Sequence, residues 1–347
     1  MKMSRKHEAS PRHDNSRRMR LITHREEVLD RLILAGRTQI PILSPNAETP
    51  DEMEGVLLAA ENHARAFGRE RCTVGLGFTA TYPDHPQLSG LAIEGGRGQT
   101  GTEATAELWL HWLRAYDRSG LFDRVEVIPF LDHGWAPHPE DLRLMQAPWF
   151  QEAMGIIMFD ASALELEENV RLTSAFVQIA RNRVVVEACP DKVYERAQME
   201  THRFRESDLW SRPEVVEQFV RRTGVDLIVP NLGTEHRTVS DEPLDYQHGI
   251  AREIARRVGP IQSLHGTSSL GGRLASVGVE GIVKINYYTA MARSATDALQ
   301  KAWAAHTVGA PLPINQACGS FLHRTRRRAI ADNVERILSQ LERRERS

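Results

Sequence analysis

The strongest constraint on how this chain folds is a rhythm of short apolar runs that carry almost no polar alternation. They recur at 39–44 (QIPILS), 73–78 (TVGLGF), 124–131 (RVEVIPFL), 155–160 (GIIMFD), 183–188 (RVVVEA), 225–231 (VDLIVPN), 260–264 (PIQSL) and 281–286 (GIVKIN). Runs of this length and composition read as parallel strands covered on both faces. Amphipathic stretches such as PDEMEGVLLAAENHARAFG and LELEENVRLTSAFVQIARN lie between them. The first opens on Pro and acids, which suit a helix N-terminus. Eight strands in βα alternation predict an α/β fold, a TIM (β/α)8 barrel, with a doubly wound open sheet as the rival.

At 347 residues the chain exceeds a typical single domain, but barrels of this kind run to about 250 residues as one unit. The expected division is a disordered basic tail over 1–21, a barrel catalytic domain over 22–310 and a helical extension over 311–347. The tail carries seven Lys or Arg and no apolar periodicity, so burial cannot offset its ordering entropy. An arm contacting RNA or an acidic partner is the alternative. In the extension, Ile330, Val334, Ile337 and Leu341 form one helical stripe, expected to pack on its own domain or on a second subunit. Residues 81–102 form a Pro- and Gly-rich loop, read as a flexible lid. Its GGRGQTG has no following Lys-Ser or Lys-Thr and so makes a poor phosphate-binding P-loop.

A net charge of −2 offers no basic field for nucleic acid, which leaves small molecules as the expected partners. Cys72, Cys189 and Cys318 are far apart and form no CxxC pair, as suits a reducing compartment. No apolar run approaches the ~20 residues of a membrane span, and the N-terminus lacks a signal peptide's apolar core. The expectation is a soluble, cytoplasmic protein without a membrane partner.

Three histidines stand just past strand-like runs: His133 in VEVIPFLDHG, His236 in VDLIVPNLGTEH and His265 in PIQSLHG. Side chains at such strand ends enter the loops that carry function in α/β proteins. Three imidazoles meeting there leave a fourth position of a Zn²⁺ open, the arrangement of a catalytic rather than a structural zinc. Asp132 adds a carboxylate beside His133, where a metal reaction needs proton transfer. Its bland reading is an acceptor that orients an imidazole.

From about residue 40 to residue 305 the chain resembles the class II, zinc-dependent fructose-bisphosphate aldolases and their tagatose-bisphosphate relatives. FLDHG resembles the family's HLDHG, MFDASALELEENV its MIDGSHLPFEENI, and VVVEA its VSVEAELG. RRTGVDLIVPNLGTEH, LHGTSS and VKINYYTA resemble EKTGVDALAVAIGTSHG, LHGGSG and AKINIATD. Six motifs in order, at near-family spacing, are far more specific than one. The resemblance implies that His133, His236 and His265 hold one Zn²⁺ or another divalent metal per chain. It implies that Asp132 transfers the proton and that Asn286 sits against the carbon that becomes a zinc-stabilised enediolate. Gly233, Gly266, Ser268 and Thr289 would bind substrate phosphate, with Lys284 structural. Asp160 reads equally as site support or as a helix cap, and Glu187 reads as further support. The implied partner is a ketose or ketose phosphate, and the implied assembly a homodimer or homotetramer.

The pattern breaks on the substrate side. Thr267 and Ser269 replace family glycines, Ala290 replaces an acid, and Tyr287 and Tyr288 replace small residues. Arg237 or Arg293 could grip a carboxylate or a differently placed phosphate, since a guanidinium suits either; the alternative is that both are solvated. Cys189 reads as packing rather than as a ligand. The expected activity is reversible aldol cleavage of a ketose phosphate or related compound. The rivals are a metal-dependent sugar epimerase or isomerase and a non-catalytic metal-binding barrel.

Overall fold

The computed structural model describes residues 18–81, 101–192, 210–235, 246–304 and 311–342. All eight expected strands form: β2 (Ile42–Pro45), β3 (Cys72–Thr79), β4 (Val125–Trp135), β5 (Ile156–Asp160), β6 (Val185–Ala188), β7 (Leu227–Ile228), β8 (Gln262–Leu264) and β9 (Ile282–Tyr287). Each pairs in parallel with the next from β3 to β9, β9 pairs with β2, and an Asn46–Gly77 bridge joins β2 to β3. The sheet therefore closes into the (β/α)8 barrel. An additional strand, β1 (Arg20–Leu21), pairs with β4 at Glu126 and Val127. Its residues fall within the expected disordered tail, yet Met19 beside them is 2% exposed; residues 1–17 lie outside the described residues.

Helix α1 (Arg25–Thr38) closes the N-terminal end of the barrel. Its Val28, Leu32 and Ala35 pack with Ile42, Ile128, Phe130, Ile156, Val185, Leu227 and Val283 in one buried cluster. Around the outside run α2 (Pro50–Ala66), α3 (Gly101–Ser119), α4 (Pro139–Gln146), α5 (Pro148–Ala153), α6 (Leu166–Ala180), α7 (Pro213–Thr223), α8 (His248–Val258) and α9 (Thr289–Trp303). Proline starts α2, α4, α5 and α7, a position where its missing N–H would have no helical partner anyway. With α1 sealing one end, the polar strand ends are left at the other.

The C-terminal helix α10 (Gly319–Glu342) buries Ile330, Val334, Ile337 and Leu341. It packs on α2 and α9 of its own chain, which decides between the two expected homes of the apolar stripe. Gly55 of α2 permits the close crossing, since a Cβ there would lie 2.6 Å from Ile330 Cγ2.

Candidate active site

The site begins with a defect in strand β4. Pairing to β5 slips between Leu131 and Gly134, and His133 adopts φ 49°, left-handed backbone that is uncommon for any residue but Gly. A bulge of this kind takes a side chain out of the normal in-out alternation and re-aims it. The His133 N–H meets Met158 Sδ at 3.4 Å, while Asp132 and His133 both remain buried at the barrel mouth. A Cβ at Gly134 would lie 2.3 Å from Met145 Sδ and 2.9 Å from the Met158 carbonyl oxygen, so a larger residue there would force its neighbours to shift.

Asp132 is the hub. Its Oδ2 accepts from Asn46 Nδ2 and its Oδ1 from Asn286 Nδ2, both at 2.7 Å. Thr79 Oγ1 is 3.5 Å away, and His265 Nδ1 lies 3.9 Å from Oδ1. On the far side of His265, Nε2 is 3.7 Å from Glu187 Oε1. Asp160 Oδ2 meets His133 Nδ1 at 2.6 Å, and its other oxygen accepts the Ser162 amide and hydroxyl. One oxygen of Asp160 is thus on the imidazole and the other on the turn at Ser162; it caps no helix, since α6 begins at Leu166 with Glu165 at its N-cap.

Charge follows from these contacts. Burial works against ionising Asp160, but the hydrogen bond and charge of His133 together with the two Ser162 contacts outweigh it and hold the carboxyl below its ordinary value. Burial opposes protonation of His133, and Asp132 with Asp160 outweighs it, raising that imidazole. For His265 burial prevails and the pKa falls. Glu187 is fully buried, yet Lys284 and His265 keep it well below the carboxylate range.

Ligand atoms of Asp132, His133 and His265 all lie within 4.8 Å of one another. Imidazole nitrogen with carboxylate oxygen is a donor set for Zn²⁺ and similar divalent ions. The carboxylate on His133 Nδ1 places a proton there and directs the lone pair of Nε2 outward, as metal-ligating histidines require. The residues present therefore fit a divalent metal. His236 directly follows buried Glu235 but lies, like Arg237, outside the described residues.

Asp132, His133, His265, Gly266, Ser268, Asn286 and Thr289 line one cavity. Gly266 has φ 64° and lies against the Glu235 backbone, where a Cβ would be 2.6 Å from the carbonyl oxygen. Gly233 is not part of that lining; its N–H is given to Asn231 Oδ1 at 3.1 Å. Arg293 is exposed on α9 and does not line the cavity either. Among the described lining residues there is no Lys or Arg. Asn46, Thr79 and Glu235 also line it, beyond the residues that the sequence singles out. Asn46 and Thr79 are polar residues at the ends of strands, the same criterion that marks the histidines. Glu235 stands where the family motif has Ser.

The family model for class-II fructose-bisphosphate aldolase matches residues 89–346. Over 185 residues the chain is 29% identical to the uncharacterized protein YdjI of Escherichia coli K12, covering 51% of this chain and 61% of YdjI. Over 88 residues it is 39% identical to the fructose-bisphosphate aldolase of Geobacillus stearothermophilus, covering 25% of this chain and 30% of that one. These sequence matches span less than two thirds of either relative. In structure it superposes on the fructose-bisphosphate aldolase of Campylobacter jejuni with TM-score 0.73 at 17% identity, covering 94% and 96% of the two chains. The crystal structure of the YdjI aldolase gives TM-score 0.63 at 19% identity over 90% and 96%. Likeness at such identities is one of fold, and it agrees with the closed barrel. The family model, by contrast, takes in β4 to β9 with the strand ends that gather Asp132, His133, His265 and Asn286, and on that match the chain belongs to the metal-dependent class II fructose-bisphosphate aldolase family.

Proposed function

We propose that the protein is a zinc-dependent aldolase that cleaves and re-forms a carbon–carbon bond in a ketose-like substrate. The observation that carries this reading is Asp132, gripped at 2.7 Å by two amides and set beside two imidazoles in one open cavity. His133 and His265, with His236 as the third ligand, would hold the metal, which when bound supplies Lewis acidity to the substrate carbonyl oxygen. Asp132 takes the proton from the hydroxyl beyond the breaking bond and returns it in the condensation direction. Asn46 and Asn286 hold that carboxylate in place. Asn286, 8% exposed on the cavity wall, presents its amide to the developing negative charge. Asp160 fixes the tautomer and plane of His133.

The substrate side supports a changed preference. Ser268 Oγ accepts the Ala290 backbone N–H at 3.1 Å, and Thr267 Oγ1 donates to the Asn286 carbonyl at 2.6 Å. An amide at the start of α9 is thereby taken up internally, and the described lining carries no Lys or Arg. We therefore infer that fructose 1,6-bisphosphate is a poor substrate compared with another ketose-like compound. Purified protein should be assayed on ketose bisphosphates, monophosphates and unphosphorylated ketoses, with and without chelator. Chelator-sensitive cleavage of a compound other than fructose 1,6-bisphosphate is expected. A kcat/KM for fructose 1,6-bisphosphate in the ordinary range of about 10⁴–10⁸ M⁻¹s⁻¹ would refute the altered preference, and absence of stoichiometric zinc would refute the metal.

A further inference from the structure

We propose that Lys284 is a positioning residue: its ammonium selects one of the two orientations of the Asn286 amide and so fixes the hydrogen bond that holds Asp132. The catalytic consequence rests on the proposed aldolase reaction, whereas the orientation itself does not.

Lys284 lies in β9 with 0% exposure and is not part of the cavity lining. A buried ammonium is costly unless it is paired, and Glu187 of β6, also fully buried, supplies two contacts at 2.9 and 3.2 Å. The Phe130 ring, 4.5 Å from Nζ, adds a cation–π face. Those contacts alone would describe a structural ion pair. A third contact changes the reading, because Nζ also donates to Asn286 Oδ1.

An ammonium has donors and no acceptor, while an amide has one end of each kind. The end of Asn286 that faces Lys284 must therefore be the carbonyl, which turns Nδ2 toward Asp132 Oδ1 at 2.7 Å. The flipped amide would set N–H against ammonium and carbonyl against carboxylate, two repulsions in a buried site. Lys284 thus acts on the cavity without touching it. With Nζ held by Glu187 and Asn286, it is also badly placed to attack a substrate carbonyl.

The test separates positioning from mere charge pairing. Lys284→Met leaves Glu187 without its cation and can fail to fold, so Lys284→Met/Glu187→Gln is made alongside Glu187→Gln alone. The side-chain amide signal of Asn286, assigned by its loss in Asn286→Ala, is followed by ¹⁵N–¹H spectroscopy with hydrogen exchange. It should keep its position and protection in Glu187→Gln, then move and lose protection by roughly tenfold or more in the double variant. An unchanged signal in the double variant would overturn the proposal, as would the same change in Glu187→Gln alone. With a substrate from the panel, Lys284→Met/Glu187→Gln should lower kcat by roughly 10- to 100-fold relative to Glu187→Gln, the usual range for a partner that orients a working group. KM should change little. Adding Lys284→Met to Asn286→Ala/Glu187→Gln should cost less than about twofold, since the group it acts through is gone; a full further loss would show a separate structural role. The spectroscopic result needs no substrate, so absence of aldol turnover would count against the proposed function and leave the orientation measurable.

Discussion

The barrel mouth and the seam between α10 and α2 both bring carboxylates to cations, but they use them differently. At the mouth, Glu187 with Lys284 and Asp160 with His133 are almost wholly buried, and each carboxylate is shared among several groups. At the seam, Arg326 meets Asp51 at 2.6 Å and Glu52 at 2.7 Å, while Glu54 takes His323 at 2.6 Å and also Arg327. Except for Glu52, which is buried, these side chains are partly solvated, and a continuous apolar stripe lies beneath them. Cohesion at the seam therefore comes from hydrocarbon, with charge at its rim. At the mouth the ion pairs are themselves interior, so losing one member leaves another buried without compensation.

The contrast can be broken first at Asp132. Asp132→Ala should lower turnover about 10²–10⁴-fold while elemental analysis still finds metal; loss of metal together with activity would make Asp132 a ligand and the mouth a simple coordination shell. Next comes the stripe. Ile330→Ala should cost about 2–5 kcal/mol of unfolding free energy in urea titration, with kcat unchanged. A smaller effect is expected from the rim, where Arg327→Ala should cost less than about 1 kcal/mol. The smallest appears only in acid. Burial pushes the Glu54 carboxyl up, but His323 and Arg327 reverse this and hold it below its ordinary value of 4.5. A depressed folded-state pKa means stability that is complete above that ordinary value and lost as pH falls through the lower one. Melting temperature measured against pH should therefore fall less steeply below that value in Glu54→Gln than in the parent.

Most of the barrel was legible because the parallel strands are short, mostly apolar runs with little polar alternation, a property of one segment that needs no knowledge of its neighbours. Strand β1 was not legible, since it is only two residues long and the residues before it read as tail; its side-chain tie, Arg20 to Glu126 of β4 at 3.4 Å, appears only once the two strands are paired. In the site, Asp132, His133 and His265 were visible from strand-end position, while His236 lies outside the described residues. Asn46 and Thr79 obey the same rule, yet their meaning depends on β2 lying beside β3 and both facing Asp132 across the mouth. Lys284 and Glu187 are lone charges in the apolar runs GIVKIN and VVVEA; only the closed sheet shows that they answer one another across 97 positions of sequence. Arg293 was left open between gripping an anion and standing in solvent, because sequence does not say which side of α9 it occupies; it is exposed and outside the cavity lining.

The kink at His133 constrains how this barrel could be edited. Replacing His133 with Gly should relax the left-handed backbone, whereas any larger residue at Gly134 meets Met145. That relief is opposed by charge, because the buried Asp160 carboxylate would lose the imidazole that it meets at 2.6 Å and stand without compensation. Backbone strain at one residue and a carboxylate at another are thus tied into a single unit, and grafting this histidine onto another barrel would mean transplanting Asp132, His133, Gly134 and Asp160 together with the slipped strand that carries them.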